Sequence, residues 1–469
     1  MALEWNDTTM ALHHLRKNMV LAAGKQTDSR GRPFRLARTT AQRPIIPARE
    51  IFNADDGHAA ENTPNTAMPS VSECATHLEL LETLYVLRQQ VLTSESIDTA
   101  MGISPKRETK TGRKGDTKTF KDDTLWDRRQ PKWAKFVEFA VVRFLDWRAS
   151  LTSFLGAGKN MADDNLPPLD IIMVWHTFLL NPRLFRNHCQ GEELYSIKMP
   201  WASIHRNINN DDWTFTRSSA AVRRYEAVSG LKWDLVDQFG AWGTTGSGAG
   251  SRQCPQLDIF GIGQSTPTSR VAGDNTAATY CRLFQSLDTG LAAELHNAVI
   301  RQTAFVDKMN AHMWIRSPAL EGTLSRGIDR YRKFCELLRL SKSVMLVPTL
   351  DIDLAWHTHQ CAAGQYAQGI TALVGRFVNH DDTIGKEDLG DGYGDTRRLF
   401  RIHFGKEYQN CGCWDCEMLL SELERAMDTQ TGDVDMKSIT AKVKEQVAYY
   451  RAVEVARRKG RRLPILNSH

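Results

Sequence analysis

Apolar residues recur at helical spacing along most of the chain. Leu80, Leu81, Leu84, Leu87 and Val91 predict a helix over 77–92. Trp133, Phe136, Val137, Ala140, Phe144, Trp147 and Leu151 form one wide apolar face and predict another over 131–151, with Pro131 in its first turn, where a missing N–H costs nothing. Leu291, Leu295 and Val299 mark a third. Leu324, Ile328, Tyr331, Cys335 and Leu338 mark a fourth, and 417–427 and 436–458 read as terminal helices. Alternating strand patterns are sparse. The expected fold class is mainly α, with few or no strands.

One segment occurs twice. LPPLDIIMVWHTFLLNPRLF runs from Leu166 to Phe185, and VPTLDIDLAWHTHQCAAGQY from Val347 to Tyr366. A constant offset of 181 pairs Pro167 with Pro348, Asp170 with Asp351, Trp175 with Trp356, His176 with His357 and Thr177 with Thr358. In each half a long amphipathic helix precedes the motif. The chain therefore reads as two helical repeat modules, each centred on a Pro-x-Leu-Asp…Trp-His helix. The expected organisation is a disordered segment at 1–70, a first module at 71–238, a Gly/Ser-rich linker at 239–280, a second module with a cysteine cluster at 281–416, and C-terminal helices with a basic tail at 417–469. Within the first module, the lysine-rich stretch 102–124 reads as a flexible connection. Asn181-Pro182 ends the first motif and predicts a following helix over 182–189.

Composition narrows the function classes. The chain has 469 residues, enough for a large core, and a formal charge of +5, which is small for a dedicated nucleic-acid surface. No stretch approaches the ~20 uninterrupted apolar residues that span a bilayer, and the N-terminus is a poor secretory signal. Nine cysteines, an odd count, fit reduced thiols in the cytosol or nucleus better than a disulfide framework. Arg457, Arg458, Lys459, Arg461 and Arg462 form the basic tail. A solvated helix end explains it, with nuclear localisation or nucleic-acid contact as the alternative.

Candidate chemistry gathers in the second module. Thr349 is placed to cap the second motif helix, and Asp170 and Asp351 stand in first turns, where capping and the helix dipole favour an acid. Asp353 and His357 are four apart and can hydrogen-bond. His357 and His359 are two apart, which on a straight helix turns them about 200° from each other and prevents their sharing one ion. The first copy has Ile172 and Phe178 where the second has Asp353 and His359, so a functional copy would be the second. A bland reading stands beside this one: each Trp-His pair is a packed aromatic with a satisfied buried histidine.

Cys411, Cys413 and Cys416 place three thiols in six residues. That pattern suits a zinc site lacking its fourth ligand, a redox pair or ordinary buried cysteines. The metal-ligand candidates are thus His357, His359, His380, Cys411, Cys413 and Cys416, with Asp353 in a supporting role and zinc as the expected ion. The sequence holds no H-E-x-x-H, no G-x-S-x-G and no dinucleotide fingerprint, so it assigns neither catalytic residues nor an organic cofactor.

The two Trp-His segments, FVNHDD at 377–382 and CGCWDCE at 411–417 occur in an order that resembles the glycine-rich domain-containing protein family in its fungal form, over roughly His77 to Glu417. The matching positions are Asp170, Trp175, His176, Asn181 and Pro182, then Asp351, Asp353, Trp356, His357, His359, His380, Asp381, Asp382, Cys411, Cys413, Trp414 and Cys416. The family is defined by a domain of unknown function. Its plant members are associated with growth, development and stress responses, and some carry an RNA-binding element and a glycine-rich tail. This chain departs in two places: the proline expected after Trp-His-Thr-His is replaced by CAAGQY, and a basic helix stands where that tail would be. With no recognised catalytic constellation, the leading expectation is a non-enzymatic interaction or regulatory protein with a structural metal site at the cysteine cluster; a protein partner is compatible with it, and no membrane is expected. The competing expectation is a metal-dependent enzyme of fungal specialised metabolism that uses Asp353, His357, His359 and His380 around zinc or iron.

Overall fold

The computed structural model describes residues 34–36, 38, 45–52, 68–106, 108–111, 117–120, 122–156, 161, 163–241, 276–429 and 435–466. Among these the fold is mainly helical. Three short antiparallel pairs join Arg35–Leu36 to Pro464–Ile465, Glu108–Thr111 to Thr117–Phe120, and Ile208–Asn209 to Thr214–Phe215. The second pair lies inside the stretch expected to be a flexible connection.

Helix α1 (Val71–Thr93) opens on a capping box: the Ser70 hydroxyl accepts the Glu73 N–H, and the Glu73 carboxylate accepts the Ser70 N–H. Every residue from Cys74 to Leu84 is buried, polar ones included. A helix covered on all sides stands at the centre of a fold rather than on its surface. It packs against both modules.

The first module contributes α2 (Pro131–Ala149), α3 (Leu169–Leu179) and α4 (Pro182–Cys189). Helix α5 (Thr289–His312) packs on α1, α2 and α3. The second module repeats the first three as α6 (Leu320–Leu340), α7 (Leu350–Gln360) and α8 (Ala363–Val374). Helix α9 (Lys386–Phe404) follows, and α10 (Trp414–Thr429) and α11 (Met436–Arg458) pack on each other.

The repeat is three-dimensional and reaches beyond the motif. In the first module Arg143 of α2 donates from Nε to Asp170 Oδ2 at 2.7 Å and from its two terminal nitrogens to the carbonyls of Lys232 and Trp233. In the second, Arg330 of α6 donates from Nε to Asp351 Oδ2 at 2.6 Å and from Nη2 to the Tyr408 carbonyl and the Thr349 hydroxyl. The repeated aspartate is therefore an ion-pair partner, which corrects the capping explanation. Thr349 occupies the cap position, but its hydroxyl is taken by Arg330 and makes no cap bond. Asn181 likewise sends its side chain back to the Thr177 carbonyl instead of capping α4.

The aromatic neighbours match one for one. Trp147 packs on Trp175 with centroids 5.6 Å apart, as Phe334 packs on Trp356 at 5.8 Å. Phe144 meets Phe178 as Tyr331 meets His359, and Phe178 meets Phe185 as His359 meets Tyr366. The arginine precedes its aspartate by 27 residues in the first copy and 21 in the second. The longer connection holds the short helix Leu151–Leu155 and the turn Asp163–Asn165. This slip explains why only the motif itself is visible at one offset.

Most of 1–70, and 242–275 of the expected linker, lie outside the described residues. The ends of that linker stretch pack inward: Phe239 stands edge-on to Phe136 and Phe139, and Tyr280 to Phe139. The basic tail is only partly solvated. Arg457 approaches Asp211, and Arg458 donates to Glu454 at 2.7 Å, while Lys459, Arg461 and Arg462 are exposed.

The Arg143 side chain is fully buried, and Asp170 nearly so. Removing one charge of a buried pair leaves the other uncompensated and costs about 3–5 kcal/mol. Asp170→Asn is therefore expected to lower unfolding free energy by about that amount. Asp351→Asn should cost less, about 2 kcal/mol, because Arg330 keeps some contact with solvent. Urea denaturation of both variants checks the order; equal losses would contradict it.

Candidate metal centres

The two Trp-His helices meet across α1. His176 Nε2 lies 2.8 Å from His77 Nε2, and His77 Nδ1 lies 2.8 Å from Thr358 Oγ1. Thr358 donates its only hydroxyl proton to the Leu354 carbonyl. Its oxygen must then accept from His77 Nδ1–H, which leaves His77 Nε2 as an acceptor for His176 Nε2–H. One line of neutral hydrogen bonds thus ties α3 to α1 to α7. Burial pushes His176 down to about 3, helped by His357, and holds His77 well below its ordinary value. The cavity beside His176, lined by residues that include Leu84, Met173, Val299 and Val306, measures about 20 Å³, room for about one water.

Trp175 and Trp356 differ in how they are satisfied. Trp356 Nε1 donates to the Tyr366 hydroxyl, which donates to the Val378 carbonyl. The first copy has Phe185 in place of Tyr366, and Trp175 Nε1 is buried with no partner. An unmet buried donor costs about 1–3 kcal/mol.

The second module gathers a cluster that the first lacks. His357 Nε2 lies 3.1 Å from His380 Nε2, and Asp353 Oδ1 lies 3.3 Å from the first and 3.6 Å from the second. Asp353 and His357 share one face of α7, as their spacing predicts. His380 comes from the loop after α8. Phe305 of α5 covers the His357 ring at 4.5 Å, and Trp356 stands edge-on to His380. Burial pushes His357 down to about 4. Burial works the same way on His380, but the adjoining Asp353 and Asp382 carboxylates outweigh it and raise its value. Asp382 is held by Arg301 and Gln302 of α5, and Asp381 accepts from Thr383 within a turn.

The thiols form a separate cluster. The sulfurs of Cys411, Cys413 and Cys416 all lie within 4.8 Å of one another, near the surface. Gly412, at φ +62°, lets the chain turn between the first two. A Cβ there would meet Trp314 Cζ2 at 3.0 Å, and the Trp314 indole donates to the Gly412 carbonyl at 2.7 Å. Trp414 clasps the loop from the other side by donating to the His312 carbonyl. Cys416 is pushed up to about 12, first by its hydrogen bond with Cys413, then by burial and the other sulfurs. Three crowded thiols resist ionising together unless a cation joins them.

The six expected ligands are thus divided. His357 and His380 meet, with Asp353 as an equal member instead of a support. The three cysteines meet one another without an imidazole in the group. His359 points elsewhere on α7, where its Nδ1 contacts the Tyr331 hydroxyl at 3.0 Å and burial pushes it down to about 4. That divergence follows from the unbroken helix. Sequence reading missed His77, whose neighbours are distant in the chain, and His312, which stands 3.7 Å from a Cβ placed on Gly412.

Residues 269–369 match the family model described as glycine-rich domain-containing protein-like. Of these, 269–275 lie outside the described residues; the rest takes in α5, α6, α7 and the start of α8 and stops short of His380 and the cysteines. The chain is 34% identical over 285 residues to glycine-rich domain-containing protein 1 of Arabidopsis thaliana, a match covering 59% of this chain and 29% of that protein. It is 24% identical over 275 residues to glycine-rich domain-containing protein 2 of the same plant, covering 57% and 29%. The match therefore spans under a third of the length of these curated relatives. No solved structure matches the chain.

Unfolded, His77 and His176 would titrate near 6.5. Their folded values are lower, so the unfolded chain binds protons that the native chain excludes. Their contribution to stability is complete above about pH 6.5 and is lost as pH falls toward the folded values. In the presence of a chelator, the unfolding free energy from urea denaturation is expected to fall between about pH 6.5 and 5, by up to ~1.4 kcal/mol per pH unit for each histidine. His176→Gln keeps a donor toward His77 and removes one titration, so its decline should be shallower. An unchanged slope would assign the loss to other groups.

Proposed function

From its relationship to the glycine-rich domain-containing proteins and from the closed packing around α1, we propose that the chain is a helical interaction or regulatory protein, with Cys411, Cys413 and Cys416 as a structural zinc site. The observation that carries the zinc reading is the convergence of three sulfurs within 4.8 Å at the start of α10. Thiolates are the preferred ligands of structural zinc, and the C-x-C-x-x-C spacing brings all three to one side of a glycine turn. The ion would supply the positive charge that lets them ionise together. The His312 ring stands near Gly412, 3.7 Å from where a Cβ on that glycine would be. Such a site would fasten the loop at 410–416 to the end of α5, where Trp314 and Trp414 already grip it.

No helix among the described residues is long and apolar enough to cross a membrane. Eight described cysteines are free thiols, which supports a reducing compartment, the cytosol or nucleus. The fungal form rests on the resemblance of the sequence motifs alone. A second reading, a metal-dependent enzyme, has one observation in its favour, the Asp353, His357 and His380 cluster.

Elemental analysis of the purified full chain tests the thiol site. About one zinc should be lost with Cys413→Ser, with a fall in thermal midpoint. Unchanged zinc content and unchanged midpoint in Cys413→Ser would end the proposal.

A further inference from the structure

The Asp353, His357 and His380 cluster has the dimensions of a coordination site. Its edges are 3.1, 3.3 and 3.6 Å. Nitrogen and oxygen ligands ~2.0–2.1 Å from a tetrahedral ion stand about 3.3–3.4 Å from one another. The three atoms therefore outline one face of such a tetrahedron with little movement required. Hydrogen bonding accounts for part of the same arrangement, since one proton can bridge His357 Nε2 and His380 Nε2. Asp353 Oδ1 is buried, and its contacts with the two Nε2 atoms, at 3.3 and 3.6 Å, are long for hydrogen bonds. Two imidazoles turn their Nε2 atoms toward each other and toward that oxygen.

We propose that Asp353 Oδ1, His357 Nε2 and His380 Nε2 bind a divalent first-row transition-metal ion, zinc or iron(II), independently of the thiol site. Two imidazoles and one carboxylate suit these ions and leave at least one coordination position for water or a small anionic ligand. The cluster lies near solvent, because the Asp353 side chain keeps about a fifth of its surface exposed (21%) and His380 12%, although Oδ1 itself is buried. The far side is closed by Phe305 and Trp356. The first module cannot form this site, since Ile172 stands where Asp353 does.

The ion would also steady a loop that lies between the two modules. The loop that carries His380 already reaches the first one: Asn379 Oδ1 accepts the Arg183 N–H at 3.0 Å, and the Arg186 guanidinium lies over Phe377. Asp382 fixes the same loop to α5 through Arg301. An ion held between α7 and this loop would pin a junction made of both copies. Metal binding should therefore raise the stability of the folded chain.

Cobalt(II) is the probe, because its visible absorption reports coordination. The test uses the full chain carrying Cys411→Ser, Cys413→Ser and Cys416→Ser, which removes the thiol site. This chain should bind about one Co(II), with an absorption band typical of four or five ligands and free of thiolate charge transfer. Zinc should displace the Co(II), and binding should raise the thermal midpoint. Asp353→Asn and His380→Gln added to it should each weaken Co(II) binding tenfold or more. Asp353→Asn preserves side-chain shape at a partly exposed position, so its far-ultraviolet circular dichroism should match the parent and separate lost coordination from lost folding. No Co(II) uptake by the thiol-free chain, or uptake indifferent to both substitutions, would overturn the proposal. The cluster would then be a hydrogen-bonded bridge between α7 and the His380 loop.

Discussion

An arginine on one helix, fully buried in the first copy and mostly so in the second, grips an aspartate in the first turn of the next, and the fold contains this clamp twice. Arg143 and Arg330 each direct Nε to Oδ2 of the repeated aspartate and also donate to backbone carbonyls, Arg330 to the Thr349 hydroxyl as well. Taking such charges out of water is costly, and the pair persists because nearly every donor has an acceptor. The clamp fixes how the Trp-His helix lies on the long helix before it. Trp175 and Trp356 then fall on equivalent aromatic neighbours, and His176 and His357 turn toward the middle of the molecule.

At that middle, α1 is the element that neither copy supplies. His77 uses one nitrogen for each module, and the proton count around Thr358 leaves the line only one neutral arrangement. A line with no place for an added proton stabilises the neutral state and registers acid as a loss of stability. Two copies of a helical unit that cannot bury their inner faces alone are thereby joined through a helix covered on all sides.

The copies have diverged in a consistent direction. Ile172, Phe178 and Phe185 of the first correspond to Asp353, His359 and Tyr366 of the second. Each second-copy residue carries a polar atom that its counterpart lacks, and His359 and Tyr366 keep the ring contacts of Phe178 and Phe185. Tyr366 uses its hydroxyl to satisfy Trp356, a need left unmet at Trp175. Asp353 is the replacement that changes chemistry, because it stands beside two imidazoles rather than within a hydrophobic contact. The thiol cluster lies apart, at the surface, with soft ligands where the interior cluster has borderline and hard ones.

Local sequence determined the helices, because amphipathic spacing, Pro131, Pro182 and the Ser70 capping box act within a turn or two of the chain. It also determined the duplication of the motif, the thiol grouping at 411–416, and the pairing of Asp353 with His357 on one helix face. The same rule kept His359 away from His357. Tertiary structure alone decided what reaches across the chain: the arginine partners of Asp170 and Asp351, the link of His77 to both modules, the approach of His380 to α7, and the separation of thiols from imidazoles. These contacts join residues tens to hundreds of positions apart, and a buried ion pair or hydrogen bond leaves no periodic trace in the sequence. Which polar groups become neighbours is set by how the apolar faces pack.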